Sequence, residues 1–386
     1  MNAPVYIHGF GLTSAAGIGL AAHRKVLWQD QQSPLTKTDA FSPGRELALG
    51  LVTAELPNLD FAKQSQRSRN NQLLWSVWLQ LVPIWLSLDI DPARVAIVLG
   101  TSTSGILESE ASFQPGSEIP LDYTRQQIAA PAAFLADQLG VTGPAYTLST
   151  ACTSGAKALA TGRRLLQSGL VDWVIAGGAD ALCGLTVNGF SALDAVSADI
   201  CLPMSVNRSG INIGEGAALF LLSNQSAKLA ITGVGESSDA HHISAPEPTG
   251  AGAEVAIRAA LADADLAAPA IGYVNLHGTA TALNDKMEAA VIHRLLASAP
   301  CSSTKPYMGH TLGAAGALEA GLCALALADG KLPRHLWDGC VDPELAPINL
   351  VSEASQWSVD ATARHALSTS FAFGGNNIAL IVSTFD

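Results

Sequence analysis

Four landmarks in this sequence occur twice, in the same order. Tyr6-Ile7-His8-Gly9-Phe10-Gly11 is a strand pattern running into glycines, and Ala230-Ile231-Thr232-Gly233-Val234-Gly235 repeats it. Val95–Leu99 is a strand pattern ending in Gly100-Thr101-Ser102-Thr103, and Tyr273–Leu276 ends in His277-Gly278-Thr279-Ala280-Thr281. A small-residue turn carrying Cys152 opens a helix to about Ser168, and a turn carrying His310 opens one through Gly316 and Leu322. Last, Val174–Ala176 meets Gly177-Gly178, as Ser368–Phe373 meets Gly374-Gly375. One glycine-rich strand end would carry nothing; the ordered series predicts two similar halves, about 1–225 and 226–386, packed as one unit. β-branched runs alternate with Ala/Leu-rich helical stretches, the pattern of an α/β fold with a largely parallel sheet.

The balance of residue types limits what such a chain can do. Of 386 residues, 48% are hydrophobic and 14% charged. A disordered chain has the opposite balance. So few charges over this length imply a large core, a large buried subunit contact, or both. The net charge is −12 with no basic block, a poor match to nucleic-acid backbones. Met1–Phe10 has no basic stretch followed by an apolar run, so no secretory leader is expected there. The apolar window Leu73–Leu88 is interrupted by Ser76, Gln80, Pro83 and Ser87. It falls short of the ~20 apolar residues of a membrane span and is expected to be a buried or amphipathic helix. Cys152, Cys183, Cys201, Cys301, Cys323 and Cys340 form no C-x-x-C pair, which suits neither a zinc site nor a disulfide framework. A reduced, cytoplasmic protein is expected. Gly9-Phe10-Gly11 lacks the third glycine of a dinucleotide fingerprint, since Ser14 stands there.

Three segments could carry chemistry. Thr147-Leu148-Ser149-Thr150-Ala151-Cys152-Thr153-Ser154-Gly155 is an extended run, a small-residue turn and a helix start. A cysteine there faces unpaired N–H groups and the positive end of the helix dipole, both of which favour thiolate. His277 and His310 occupy equivalent places in the second half, and two imidazoles beside a thiolate suit acyl chemistry. Their N–H groups can stabilise an enolate or oxyanion, and an imidazole exchanges protons near neutral pH. A metal is not expected, because the acidic third ligand and the i, i+4 spacing are absent. Phe371-Ala372-Phe373-Gly374-Gly375-Asn376-Asn377 is a glycine-flanked loop whose backbone N–H groups could form an oxyanion hole.

Together these residues closely resemble the elongating β-ketoacyl-acyl-carrier-protein synthases of the thiolase superfamily. The motifs run in order: STACTSG with Cys152, PMSVNRSGINIGEGA, DAHHISAP, HGTATALND with His277, KPYMGHTLGAAGALEA with Lys305 and His310, and SFAFGGNN. The resemblance implies the thiolase fold, two pseudo-repeated halves in five layers, αβαβα. It implies that Cys152 holds an acyl chain as a thioester, while malonyl arrives on the phosphopantetheine arm of an acyl carrier protein, with no permanently bound cofactor. His277 and His310 would stabilise the enolate formed as CO2 leaves. Backbone N–H groups of Cys152 and Phe373 would form the oxyanion hole, with Phe373 and Phe371 gating entry. Lys305 would order the histidine pocket, paired with a carboxylate near Asp285 or Glu288, and Glu319 would support the site. Thr279 and Thr281 would bind pantetheine, and Phe190 would line the acyl tunnel.

Departures from the family pattern point to a specialised pathway, of aryl-polyene or other polyketide type. Phe190-Ser191-Ala192-Leu193-Asp194 carries an acid and no arginine where basic docking residues are common. Lys63, Arg67 and Arg69 remain as a basic patch for the acidic carrier. Thr103 stands where a larger apolar residue often limits the tunnel. A homodimer, or a heterodimer with a ketosynthase-like chain-length-factor subunit, is expected. The competing readings are a non-catalytic chain-length-factor-like subunit and a thioesterase-like or acyltransferase role for the same cysteine.

Overall fold

A computed structural model describes residues 4–353, 355–357 and 363–385. Residues 1–3, where the expected absence of a leader begins, lie outside them, as does residue 386. Ten strands form one continuous twisted sheet, and the short arm Gly17–Ile18 pairs with the end of its central strand β1. They are β1 (Val5–Ser14), β2 (Val95–Gly100), β3 (Ala145–Leu148), β4 (Trp173–Asp180), β5 (Gly216–Ser223), β6 (Leu229–Ser238), β7 (Ile271–Leu276), β8 (Cys301–Ser303), β9 (Ala363–Phe371) and β10 (Asn376–Phe385). Their spatial order is β8-β7-β9-β10-β6-β1-β5-β4-β2-β3. β2 pairs in parallel with β3 and β4, and β5 runs antiparallel to β4 and β1. β7 likewise pairs in parallel with β8 and β9, and β10 runs antiparallel to β9 and β6. The two five-strand sets meet along β1 and β6, where Val5, Tyr6 and Ile7 face Ile231, Ala230 and Leu229.

Six long helices cover these sets: α1 (Arg69–Trp85), α2 (Ala130–Leu139), α3 (Ser154–Gln167), α4 (Ala251–Asp263), α5 (Ala282–Leu296) and α6 (Ala315–Asp329). Side-chain alternation along the strands assigns each helix its side. In β2, Val95, Ile97 and Leu99 join α1 and α2 in one cluster, while Ala96 and Val98 join α3 and α6 in another. A third cluster packs Val274 and Leu276 of β7 against α4 and α5. The outer helix pairs therefore sandwich the two five-strand sets of this sheet around a central layer of α3 and α6, which is the five-layered thiolase arrangement. Strands buried on both faces read as continuous apolar runs, as β4 and β5 do.

Leu73–Leu88 largely coincides with α1, whose buried face includes Leu73, Leu74, Val77 and Leu81. Among the described residues, the segment long and apolar enough to cross a membrane is instead Leu312–Asp329, and 89% of it is buried inside the protein, where it runs through the central-layer helix.

Candidate active site

The central layer places two turns beside each other. α3 and α6 touch through small residues near their starts. A Cβ on Gly155 would lie 2.9 Å from Ala317 Cβ, and one on Gly316 would lie 2.7 Å from Ala156 Cβ. That close approach brings the turn before α3, with Cys152, against the turn before α6, with His310. Ala151 holds a left-handed backbone, φ 53°, at the tip of the first turn. Ser154 fixes it, its N–H and Oγ both donating to Ala151 O at 3.0 and 2.6 Å. Non-glycine residues adopt that conformation only when surroundings enforce it.

Cys152 is buried, and its sulfur lies 3.0 Å from His310 Nε2. Burial pushes the thiol up to about 11, against the opposing pull of the Lys305 charge and of backbone N–H groups of Cys152 and Phe373. This corrects the expectation of a standing thiolate. The helix begins at Ser154, so Cys152 lies ahead of it, and desolvation outweighs the helix start.

His277 and His310 meet edge to face, ring centroids 5.5 Å apart and planes at 86°. Both are held well below the ordinary histidine range by burial and the nearby Lys305 charge, so both are neutral at physiological pH. Lys305 Nζ sits 3.4 Å from His277 Nδ1 and forms a buried ion pair with Glu319. The expected pairing of Lys305 with Asp285 or Glu288 is therefore corrected. Asp285 accepts from the N–H groups of Met204 and Ala280 at 2.8 and 3.2 Å. Glu288 accepts from those of His277 and Gly278, both at 2.7 Å, and from the Thr369 hydroxyl at 2.9 Å. Each carboxylate is occupied in shaping the 277–281 loop, and burial raises them to about 6 and about 7.

Cys152, His277 and His310 open into a cavity of about 590 Å³. Its walls include Phe190, Thr279, Thr281, Phe371 and Phe373. The Thr279 and Thr281 hydroxyls are 2.9 Å apart, Phe373 packs on Phe190 at 5.6 Å, and Phe371 packs on His277 at 6.0 Å. The loop between β9 and β10 turns through Gly374 and Gly375 at φ 83° and 78°, values glycine adopts without strain.

Two further expectations are corrected. Thr103 is buried and does not line the cavity, because its hydroxyl and N–H both donate to Asp180 Oδ1 at 2.8 Å. Arg69 is not a docking residue. Its guanidinium turns inward to Glu215, 2.7 Å from Oε2 and 2.5 Å from Oε1. Lys63 and Arg67 do reach the surface, but Asp137 and Asp60 lie 2.6 and 3.2 Å from them.

Sequence reasoning passed over Asp180. This buried carboxylate binds the N–H groups of Ser102, Thr103 and Gly313, fastening the loop after β2 to the turn before α6. An acid ending an otherwise apolar strand was the available signal. Asn212 was also passed over; its carbonyl accepts the His310 N–H at 2.6 Å. The Cys152, His277 and His310 donor atoms lie within 4.8 Å of one another, near enough for one ion. The Lys305 ammonium beside His277 opposes a divalent cation there.

Residues 85–228 match the profile "Beta-ketoacyl synthase, N-terminal domain", and residues 229–337 match "Beta-ketoacyl synthase, C-terminal domain". Nodulation protein E of Rhizobium meliloti is 35% identical over 305 residues, 74% of this chain and 75% of that protein. 3-Oxoacyl-acyl-carrier-protein synthase 2 of Staphylococcus aureus is 33% identical over 266 residues, 64% of this chain and 63% of that protein. A chain from the complex of a ketosynthase (ApeO) with its chain length factor (ApeC) from Xenorhabdus doucetiae is 40% identical, with a TM-score of 0.92 over 99% of this chain and 98% of that one. A β-ketoacyl synthase from Burkholderia phymatum STM815 is 26% identical, with a TM-score of 0.90 over 100% of both chains. On these matches, carried on a thiolase fold, the chain belongs to the β-ketoacyl synthase family of the thiolase superfamily.

Proposed function

We propose that this chain is an elongating β-ketoacyl-acyl-carrier-protein synthase. The observation that carries the reading is the 3.0 Å approach of Cys152 Sγ to His310 Nε2, with His277 beside them in one buried cavity. In the loading step, the Cys152 sulfur attacks a carrier-bound acyl thioester. A new S–C bond forms, the carrier's S–C bond breaks, and the thiol proton passes to the departing pantetheine sulfur. His310 Nε2 is near enough to carry that proton. The N–H groups of Cys152 and Phe373, both turned toward the sulfur, are suited to hold the oxyanion.

Malonyl on a second carrier arm enters next, against Thr279 and Thr281. Its carboxylate leaves as CO2, and the electron pair of the broken C–C bond becomes the enolate. Neutral His277 and His310 donate hydrogen bonds to the enolate oxygen. Their depressed basicity suits donors that must not surrender a proton. The enolate carbon attacks the Cys152 thioester, a C–C bond forms, and the cysteine sulfur leaves and is reprotonated. The product is a β-ketoacyl chain two carbons longer. Confinement of both partners in one cavity replaces a bimolecular encounter, an advantage worth roughly 7–11 kcal/mol at best.

The acyl carrier protein and a second ketosynthase-like subunit are proposed partners, in line with the ketosynthase and chain-length-factor pair that this chain resembles at 40% identity. A specialised, aryl-polyene or polyketide-type chain is the proposed substrate on the departures at Phe190–Asp194; Thr103 no longer contributes to that argument. The complete Cys152, His277, Lys305 and His310 set favours catalysis over the scaffold alternative. The test is condensation of acyl- and malonyl-loaded carrier by purified protein, alone and with its genomic neighbour. A β-ketoacyl product that disappears with Cys152→Ala in this chain supports the proposal. Product that persists with Cys152→Ala, made by the neighbour, identifies this chain as the scaffold.

A further inference from the structure

The Phe373 loop has a further anchor besides its own strands, and that anchor stands on α3, the helix that begins two residues after Cys152. Lys157 lies five positions after Cys152, within α3, and its side chain is 17% exposed. Its Nζ donates to Asn376 Oδ1 at 3.1 Å and lies 3.8 Å from Glu236 Oε1 on β6. Asn376 is the residue on which the loop closes, since its carbonyl accepts the Ala372 N–H at 2.8 Å. Gly375 N–H donates to Ala372 O at 3.0 Å, and Gly374 N–H reaches across to Ile243 O at 2.8 Å. With Gly374 and Gly375 both in left-handed conformations, the loop keeps its path through these backbone bonds and through Asp239 N–H to Gly375 O at 2.8 Å, and Lys157 adds a tether to α3. Yet the position of one N–H in it, that of Phe373, matters to the Cys152 sulfur.

We propose that Lys157 is a positioning residue: through Asn376 it ties the loop to α3, which follows directly on the Cys152 turn, and fixes the Phe373 N–H relative to Cys152. Lys157 does not touch the cavity, so it acts on the sulfur only through the loop. The ion pair with Glu236 holds the ammonium in place, and Glu236 is itself shared with Arg164. A charge-assisted bond of this kind is roughly twice as strong as a neutral one. As a statement about turnover, the inference rests on the ketosynthase reading; as a statement about the sulfur, it does not.

The experiment is a double-mutant cycle on the full chain, Lys157→Met, Asn376→Ala and both together, with Lys157→Arg as the conservative variant. Two rates are read. One is alkylation of Cys152 by iodoacetamide, followed by peptide-resolved mass spectrometry because Cys340 is exposed and will also react. The other is steady-state condensation. Each single variant is expected to change the Cys152 alkylation rate and to lower kcat about tenfold, with KM for the carrier substrate nearly unchanged. The double variant is expected to match the singles, and Lys157→Arg to restore most of the rate. Independent, multiplying effects, or an unchanged alkylation rate in Lys157→Met with its thermal midpoint intact, would overturn the proposal. Coupled alkylation rates in a protein that does not condense would leave this inference standing and remove the ketosynthase reading.

Discussion

At the level of single residues, the sulfur of Cys152 is governed by opposed influences. Burial and, more weakly, the Glu319 charge raise its pKa, while the Lys305 charge and the backbone N–H groups of Cys152 and Phe373 lower it. Lys305→Met should therefore raise the pH midpoint of Cys152 alkylation and slow labelling at pH near 7. An unchanged midpoint would show that the ammonium does not reach the sulfur. Removing Lys305 alone also leaves Glu319 as an unpaired buried carboxylate, a loss on the order of 3–5 kcal/mol. Lys305→Met combined with Glu319→Gln should recover much of that stability in urea unfolding and bring the midpoint part of the way back, since the Glu319 charge itself raises the thiol. Cys152, His277 and His310 were legible in the sequence because each stands at a strand end or helix start beside glycines. The partners of Lys305, Arg69 and Thr103 were not. A charge or hydroxyl in a sequence does not state which way it turns, and Glu319, Glu215 and Asp180 reach these residues only through tertiary packing.

Among elements, α3 and α6 decide whether the site exists. Their contact at Gly155, Ala156, Gly316 and Ala317 leaves no room for a larger residue. Gly316→Val should destabilise the fold by about 1–3 kcal/mol and depress condensation by spreading the Cys152 and His310 turns. A fully active, equally stable variant would show that the helices tolerate separation. His335 tests how the 301–303 strand is fixed. Its Nδ1 accepts from the Ser303 N–H at 3.0 Å, so its Nε2 carries the proton given to Pro203 O at 2.9 Å. Burial lowers its pKa to about 4. The unfolded chain then binds the extra proton between about pH 6.5 and 4, so stability rises with pH across that window and is lost as pH falls through it. The full contribution is about 3 kcal/mol, and His335→Gln should flatten the stability difference between pH 4.5 and 7 by about 2 kcal/mol, the share that falls in that range. An unaltered pH slope would place the acid sensitivity elsewhere. The duplicated strand landmarks were readable because β1, β2, β4 and their counterparts keep the same apolar runs and terminal glycines. The length of α6 was harder to see, since a helix buried on every side loses the 3.6-residue periodicity that marks amphipathic helices.

The whole molecule is built so that neither half holds a complete site: the first supplies the sulfur, the second both imidazoles and the Phe373 loop. Phe113, Ile119, Leu121 and Tyr123 are exposed on the excursion between β2 and β3, and β3 ends the sheet with one open edge. Sedimentation of the chain, alone and with its genomic neighbour, should give a dimer at micromolar concentration in at least one case. Monomer in both would remove subunit association from the account. The low charge fraction suggested such a contact but not where it lies, because composition carries no direction. The central claim is that Cys152 accepts the acyl group while His277 and His310 serve the decarboxylation that follows. It is tested most directly by supplying acyl carrier and then malonyl carrier to His277→Ala and His310→Ala, and recording the mass of the Cys152 peptide and the CO2 released. An acyl adduct on Cys152, formed more slowly in His310→Ala than in His277→Ala, and no CO2 are the expected result. CO2 release without the adduct would contradict it.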